Sequence, residues 1–329
     1  MHDLEFSNKP LISLVVPIYN LEEYVGILID STLEQTYTHW ELVIVNDNST
    51  DSSFDIINSY DDDRIKVINN SKNLGLSGSR NKGIMNSHGD YIQFIDGDDF
   101  LEKNALEIEV THLIHTNADI LHFNYNIVTL QRPLTDSEKR LEKISTSEGE
   151  YIGNKKLELL FNGSISHFAW SFILKSSIFD CRNNFFPEGR LFEDFSTTYK
   201  WLYASRKLYV SDKKLYNYMQ RNTSIMHKPQ LSHATDIKET VDELDIFASQ
   251  SIPNLEKNVI RYELPRLLNA YGISLKSENS SKVISDNIRK KILKKIKVVG
   301  LHHLRLRDKI KVVLIICNFL QYLYEFKKK

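Results

Sequence analysis

Tyr91-Ile-Gln-Phe-Ile-Asp-Gly-Asp-Asp99 sets an apolar, β-branched and aromatic run directly against three carboxylates. Residues 91–95 read as a short buried strand, introduced by the Gly89-Asp90 turn. Asp96, Asp98 and Asp99 then crowd one strand end, where like charges repel and each loses hydration. A divalent cation relieves that conflict. Hard oxygen ligands at such a place suit Mg²⁺ or Mn²⁺, which also take the oxygens of a diphosphate. An isolated acidic triplet is more often a surface turn, because Asp is a common turn residue; what lies upstream favours the cation.

Upstream, residues 11–16 (Leu-Ile-Ser-Leu-Val-Val) form a nearly continuous apolar run ended by Pro17, as in strands buried on both faces of a parallel sheet. A helix over 21–35, a strand over 41–45, a helix capped by Asp51 and a strand over 65–68 follow. The glycine-spaced segment 73–83 leads through another helix to the strand at 91–95. This alternation predicts an α/β fold with a mostly parallel, doubly wound sheet flanked by helices. Ligands on such sheets bind at the carboxyl ends of the strands. Three polar clusters fall there: Pro17-Ile-Tyr-Asn20, Asn46-Asp-Asn-Ser49 and the acids at 96–99.

Downstream, a helix is expected over 104–117, a strand over 119–125, a long polar loop over 129–149 and a helix near 154–162. The aromatic segment Phe168-Ala-Trp-Ser-Phe172 follows. Leu191-Phe-Glu-Asp-Phe195 opens a helix to about 204, two short strand pieces cover 208–210 and 215–219, and the pattern is helical from 232. With 329 residues the chain suits a main domain and a smaller one. Cys181 and Cys317 are too few for a disulfide framework or a Cys-based metal site. No basic segment followed by an apolar run opens the chain, so no signal peptide is expected.

Neither common nucleotide fingerprint is present. Pro17-Ile-Tyr-Asn stands where GxGxxG would follow the first strand, and no GxxxxGK[ST] loop occurs. Gly75-Leu-Ser-Gly78 with Arg80 is a different device: the glycines allow close backbone approach, and Arg80 could offer a fork to phosphate. It reads equally well as a helix entry packed on the sheet.

Val15-Val-Pro-Ile-Tyr-Asn20, Val45-Asn-Asp-Asn-Ser-Thr-Asp51, Asn73-x-Gly75-x-x-x-Ser79-Arg-Asn81-x-Gly83 and Phe94-Ile-Asp-Gly-Asp-Asp99 occur in an order and spacing that resemble the inverting glycosyltransferases of family 2, with the GT-A fold. Phe186-Pro-Glu-Gly, Phe192-Glu-Asp-Phe and Tyr216-Asn-Tyr-x-x-Arg-x-x-Ser224 resemble its downstream motifs more weakly. The set is similar to bacterial capsule and lipooligosaccharide transferases. The resemblance implies that Pro17 and Tyr19 line the nucleotide, that Asp47 accepts from uracil N3–H, and that Arg80 meets the diphosphate. It makes Asp96 a contact to ribose or metal, Asp98 the principal ligand of Mn²⁺ or Mg²⁺, and Asp194 the general base, with Glu193 in reserve. Asn46 and Asn48 depart from the commonest residues, Asp and Gly, but Asn tolerates left-handed backbone.

The chemistry agrees with these roles. A leaving diphosphate gathers negative charge that a cation and Arg80 can stabilise, while the acceptor hydroxyl must lose a proton to one carboxylate on the opposite face. First-turn acids such as Glu193 and Asp194 also suit the helix dipole without any catalytic role. Asp99 would cap the next helix, Trp170 and Tyr218 read as core rather than sugar platforms, and His227 as a surface residue. A donor-binding protein without catalysis, and a nucleotidyltransferase, are the alternative functions; release of pyrophosphate would mark the latter.

The net charge of −1 hides an asymmetry: from Lys282 onward there are 14 Lys/Arg against 3 Asp/Glu. Ile288, Ile292, Ile296 and Val299 fall on one helical face, and Ile310, Val313, Leu314, Cys317 and Leu320 on another. Basic amphipathic helices of this kind lie on anionic membranes. The expected partners are thus a UDP-sugar donor, a glycan acceptor that a lipid can carry, and the inner face of the cytoplasmic membrane. Packing of these faces on the catalytic domain or on a second subunit competes with that reading, and nucleic acid is not expected. The expected division is a catalytic domain over 1–227, with a nucleotide-sugar half to about 100 and an acceptor half beyond it, and a helical region over 228–329. The expected location is cytoplasmic and peripheral.

Overall fold

Ile12–Ile18 (β1) and Trp40–Asn46 (β2) are buried at every position, as apolar runs covered on both faces should be. The computed structural model describes residues 9–129, 146–220, 230–276, 282–302 and 304–317. β1 pairs in parallel with β2 on one side and with Tyr91–Phe94 (β4) on the other, and β2 pairs in parallel with Ile65–Asn69 (β3). The helices Val25–Leu33 (α1), Ser53–Asn58 (α2) and Gly75–Met85 (α3) lie between these strands in the chain. This half, ordered β3-β2-β1-β4, is the doubly wound sheet that the alternation predicts. α1 starts later than expected because Leu21 and Tyr24 first close a turn, Tyr24 N–H donating to Leu21 O at 2.9 Å. α3 rests directly on β1: a Cβ at Gly83 would stand 2.3 Å from Val15 Cγ1.

Beyond β4 the sheet becomes mixed. Phe172–Lys175 (β8) inserts antiparallel between β4 and Ile120–Val128 (β6). Lys207–Met219 (β9) runs parallel to β6 and antiparallel to Phe100–Leu101 (β5) and Gly149–Ile152 (β7). β9 is one strand of 13 residues where the sequence suggests two pieces. Its polar centre, Asp212-Lys-Lys214, is exposed, and the pairing with β6 shifts register there, so alternation is interrupted without ending the strand. Ala105–Thr116 (α4), Lys155–Phe161 (α5) and Glu193–Ala204 (α6) match the expected helices. Trp201 of α6 stacks on Phe94 of β4 at 5.8 Å, with Phe186 edge-on to both, which seats α6 against the strand that carries the acids.

The chain divides into two units, one of residues 1–157, 164–189 and 193–221, the other of 158–163, 190–192 and 222–329. The expected boundary at 227 lies outside the described residues, as do His227 and most of the 129–149 loop. The second unit holds the helices Leu231–Ser251 (α7), Glu256–Lys276 (α8), Lys282–Val299 (α9) and Leu306–Ile316 (α10). Here one expectation is corrected. The apolar face of α9 does not lie open for a membrane: Ile288, Ile292 and Val299 are buried, and α9 packs on α8. Lys291 pairs with Asp242 and Asp245, and Lys295 with Asp245 and Glu263, each of the latter at 2.5 Å. Acids on α7 and α8 absorb this charge, which sequence periodicity cannot show. α10 differs, for beside its buried Val312 and Ile315 it exposes Leu306, Ile310, Val313 and Ile316. Among the described residues no helix is long and apolar enough to cross a membrane.

Candidate active site

The loops after β1 and β2 are laced together at the carboxyl edge of the sheet. Asn20 and Asn48 are both left-handed, at φ 53° and 61°, a conformation Asn accepts readily. Asn20 N–H donates to Ser49 Oγ at 3.1 Å and its Oδ1 accepts from Thr50 N–H at 2.8 Å, while Leu21 N–H donates to Ser53 Oγ. The result places Pro17 inside and Tyr19 outside, at 48% exposure. Asp47 is buried. Its Oδ1 accepts from Asn70 Nδ2 and Leu74 N–H, each at 2.7 Å, and its Oδ2 from Gly75 N–H at 2.8 Å. Asp47 thus anchors the start of α3, where Gly75 takes φ 75°. A carboxylate offers about four acceptor positions, so three protein donors leave one for a ligand.

Arg80 follows within α3 and is only 1% exposed. Nη2 donates to Asp96 Oδ1 at 2.6 Å, and Nη1 donates to Glu193 Oε1 at 2.8 Å and Asp194 Oδ1 at 3.1 Å. The residue expected to face a diphosphate therefore ties the acids of β4 to those of α6. Its buried Nε–H has no acceptor among the described residues, so one donor is uncommitted. Burial opposes the charge of Arg80, but Asp96, Asp194 and Glu193 outweigh it and raise its pKa further. Asp194 is held from the other side by Ala169 N–H, which donates to Oδ2 at 3.1 Å. Burial is the largest influence on Asp194; Arg80 opposes it and Glu193 and Asp96 reinforce it, so the carboxyl is raised to about 8. Asn81 anchors the neighbouring segment, its Nδ2 donating to Phe186 O and its Oδ1 accepting from Phe186 N–H, both at 2.9 Å.

The three acids at the end of β4 have different fates. Asp99 is fully buried, accepting from Tyr216 Oη–H at 2.6 Å and Met219 N–H at 2.7 Å. It does not cap α4, as expected of it, but latches the turn to β9. Burial, reinforced by Asp98 and Asp96, pushes its pKa well above the usual carboxylate range. Asp96 and Asp98 stay partly exposed. Gly97 between them lies so close to β1 that a Cβ would stand 2.4 Å from Ile18 Cδ1. Among the described residues no three metal-binding side chains cluster as a ready-made cage. A Mg²⁺ or Mn²⁺ that takes one or two carboxylates and completes its shell with phosphate oxygens and water needs no such cage. Asp96 and Asp98 fit that demand, and Arg80 alone does not offset Asp96, Glu193 and Asp194 together.

The structure thus brings Arg80, Asp96, Glu193 and Asp194 into one cluster, with Asp98 two residues on, and sets Asp47 apart as the anchor of α3. Trp170 is core, 3% exposed and stacked on Tyr216 at 4.6 Å. Sequence reasoning missed Ala169 N–H and the Tyr216 hydroxyl. A backbone donor leaves no trace in residue type, and the only signal for Tyr216 was its place in the weaker closing motif.

Residues 13–180 match the family described as Glycosyl transferase family 2. The chain is 30% identical over 275 residues to the glycosyltransferase GlyG of Streptococcus pneumoniae serotype 4, covering 80% of this chain and 89% of that one. A shorter match, 34% over 118 residues, covers 36% of this chain and 47% of WfgD of Escherichia coli, named a UDP-Glc:alpha-D-GlcNAc-diphosphoundecaprenol beta-1,3-glucosyltransferase. Among solved structures, S. aureus TarS in complex with UDP-GlcNAc superposes with a TM-score of 0.72 at 20% identity, over 94% of this chain and 91% of that one.

Proposed function

The chain belongs to glycosyl transferase family 2 and has the GT-A fold, and from that premise we propose that it transfers a sugar from a UDP-sugar to a glycan hydroxyl with inversion at the anomeric carbon. The observation that carries this reading is the single cluster in which Arg80 joins Asp96, at the donor end of β4, to Asp194 at the start of α6. Pro17 and Tyr19 line the nucleotide, the open acceptor position of Asp47 takes uracil N3–H, and Arg80 meets the diphosphate. Asp98 and Asp96 would hold Mn²⁺ or Mg²⁺. There it would supply positive charge against the departing diphosphate.

Asp194 takes the proton of the acceptor hydroxyl while that oxygen bonds to the anomeric carbon. The bond from this carbon to the diphosphate oxygen breaks, and UDP leaves with the electron pair. A single displacement inverts the centre. A carboxyl raised to about 8 is a stronger base than an ordinary Asp, and Ala169 N–H with Arg80 aims both its oxygens. Glu193 is the buried partner of Arg80 and steadies the guanidinium.

The names of the similar proteins support UDP-glucose or UDP-N-acetylglucosamine as first donors to try, and the resemblance of the motifs points to surface polysaccharide or lipooligosaccharide synthesis as the setting. A lipid-linked acceptor would be met at the inner membrane face. α10 suits an anionic bilayer, since its exposed Leu306, Ile310 and Val313 are flanked by Arg305, Arg307 and Lys309.

The test is product analysis with a UDP-sugar panel and Mn²⁺. Release of UDP, a product of inverted anomeric configuration by NMR, and a loss of about 10²–10⁴ in rate for Asp194→Asn are expected. Pyrophosphate release, or full activity in Asp194→Asn, would overturn the reading.

A further inference from the structure

Outside the acids themselves, one buried group touches the donor turn in a way that packing alone does not require. Tyr216 is fully buried in β9, and its hydroxyl does two things at once. It accepts from Asp96 N–H at 3.0 Å and donates to Asp99 Oδ2 at 2.6 Å. Asp99 completes the clamp by accepting from Met219 N–H, two residues along β9 from Asn217 of the Phe100↔Asn217 pair, which with Leu101↔Tyr216 joins β5 to β9. The 96–99 turn is thus closed on one side by Gly97 against Ile18 and pinned on the other by β9. The ring of Tyr216 lies flat on Trp170, 4.6 Å away and tilted by 9°. Trp170 follows Ala169, whose N–H holds Asp194. One aromatic pair therefore adjoins both the donor turn and the base.

We propose that Tyr216 is a positioning residue of the active site: its hydroxyl, through Asp96 N–H and Asp99, sets the 96–99 turn so that Asp96 and Asp98 face the donor cation, while its ring braces the segment that aims Asp194. This rests on the donor reading of the turn given above. A phenylalanine at 216 retains the ring and its stack but leaves Asp96 N–H and Asp99 Oδ2 without their buried partner. The hydroxyl and ring contributions are therefore separable. Groups that orient metal ligands at one remove typically govern metal affinity by about 10- to 100-fold.

The experiment is calorimetry of UDP with and without Mn²⁺ on wild type, Tyr216→Phe and Asp99→Asn, with kcat measured at saturating Mn²⁺. Tyr216→Phe should weaken Mn²⁺-dependent UDP binding by about 10- to 100-fold, leave metal-free UDP binding unchanged, and keep kcat at saturating Mn²⁺ within a few-fold. Asp99→Asn, which keeps one acceptor oxygen, should show the same split to a smaller degree; it decides the matter if Tyr216→Phe does not fold. Mn²⁺-dependent binding equal to wild type in the folded variant, or an equal loss with and without Mn²⁺, overturns the proposal. Failure of the wild type to bind UDP in any metal would instead refute the donor reading.

Discussion

Replacing Arg80 by methionine removes the guanidinium that faces Asp96 at 2.6 Å, Glu193 at 2.8 Å and Asp194 at 3.1 Å. Arg80 is 1% exposed, and the side chains of Glu193 and Asp194 only 11% and 16%, so little water replaces it. Removing one partner of a buried ion pair costs about 3–5 kcal/mol; the 26% exposure of Asp96 argues for the lower end, about 3 kcal/mol. For a domain of this size that corresponds to roughly 6–12 °C in Tm. The deficit should depend on pH, with a definite sign. Asp194 already has its folded pKa raised to about 8, and loss of Arg80 raises it further. A carboxyl raised on folding costs nothing below its unfolded value, near about 4, and costs most once pH exceeds the folded value. Below about pH 8 the Asp194 carboxyl is protonated in both folded proteins and adds nothing to the gap, so its part of the difference between Arg80→Met and wild type opens only as pH rises through about 8. Urea unfolding at several pH values, followed by circular dichroism, reads both quantities. A deficit below about 1 kcal/mol, or one that does not grow as pH rises from about 7 to about 9, would refute the argument that Arg80 neutralises these acids.

The same carboxyl sets a kinetic expectation: the acid limb of the kcat–pH profile should lie well above the ordinary Asp range, near neutral pH rather than near about 4, and a limb at ordinary Asp values would remove Asp194 as base. Gly97→Ala should destabilise by about 1–3 kcal/mol and weaken Mn²⁺-dependent donor binding, because its Cβ would meet Ile18 Cδ1 at 2.4 Å and Leu21 Cδ1 at 2.6 Å; wild-type Tm and affinity would show that the turn is not so tightly seated. Ile310→Asp with Val313→Asp should abolish sedimentation with anionic vesicles and leave turnover of a water-soluble acceptor intact, since both side chains are exposed on α10; unchanged sedimentation would exclude α10 as the membrane contact.

Local pattern made the first half of the fold legible. β1 and β2 are continuous apolar runs, and the polar clusters after them fall at strand ends because a doubly wound sheet puts them there. β8 was not legible: the four residues 172–175 become a strand only because β4 and β6, distant in sequence, offer edges on both sides. At the site, the acids at 96 and 98 could be picked out by type and place, and Asp194 only through the resemblance of its motif. Their coupling through Arg80 could not, since it spans 114 residues between Arg80 and Asp194. Asp99 shows the reverse error. Its sequence position equals that of a metal ligand or a helix cap, but burial and two β9 donors make it a latch. In the basic tail α9 misled for a similar reason, because the acids that receive Lys291 and Lys295 lie on α7 and α8.

The central claim is that the carboxyl end of β4 binds a UDP-sugar through a cation held by Asp98. Calorimetry with UDP, GDP and a panel of UDP-sugars, with and without Mn²⁺, on wild type and Asp98→Ala, tests it most directly. The account predicts UDP binding that is strengthened by Mn²⁺ in wild type and loses that dependence in Asp98→Ala, with the tightest UDP-sugar marking the donor. Binding of no UDP species in any metal, or Mn²⁺-dependent binding that survives in Asp98→Ala, would contradict it.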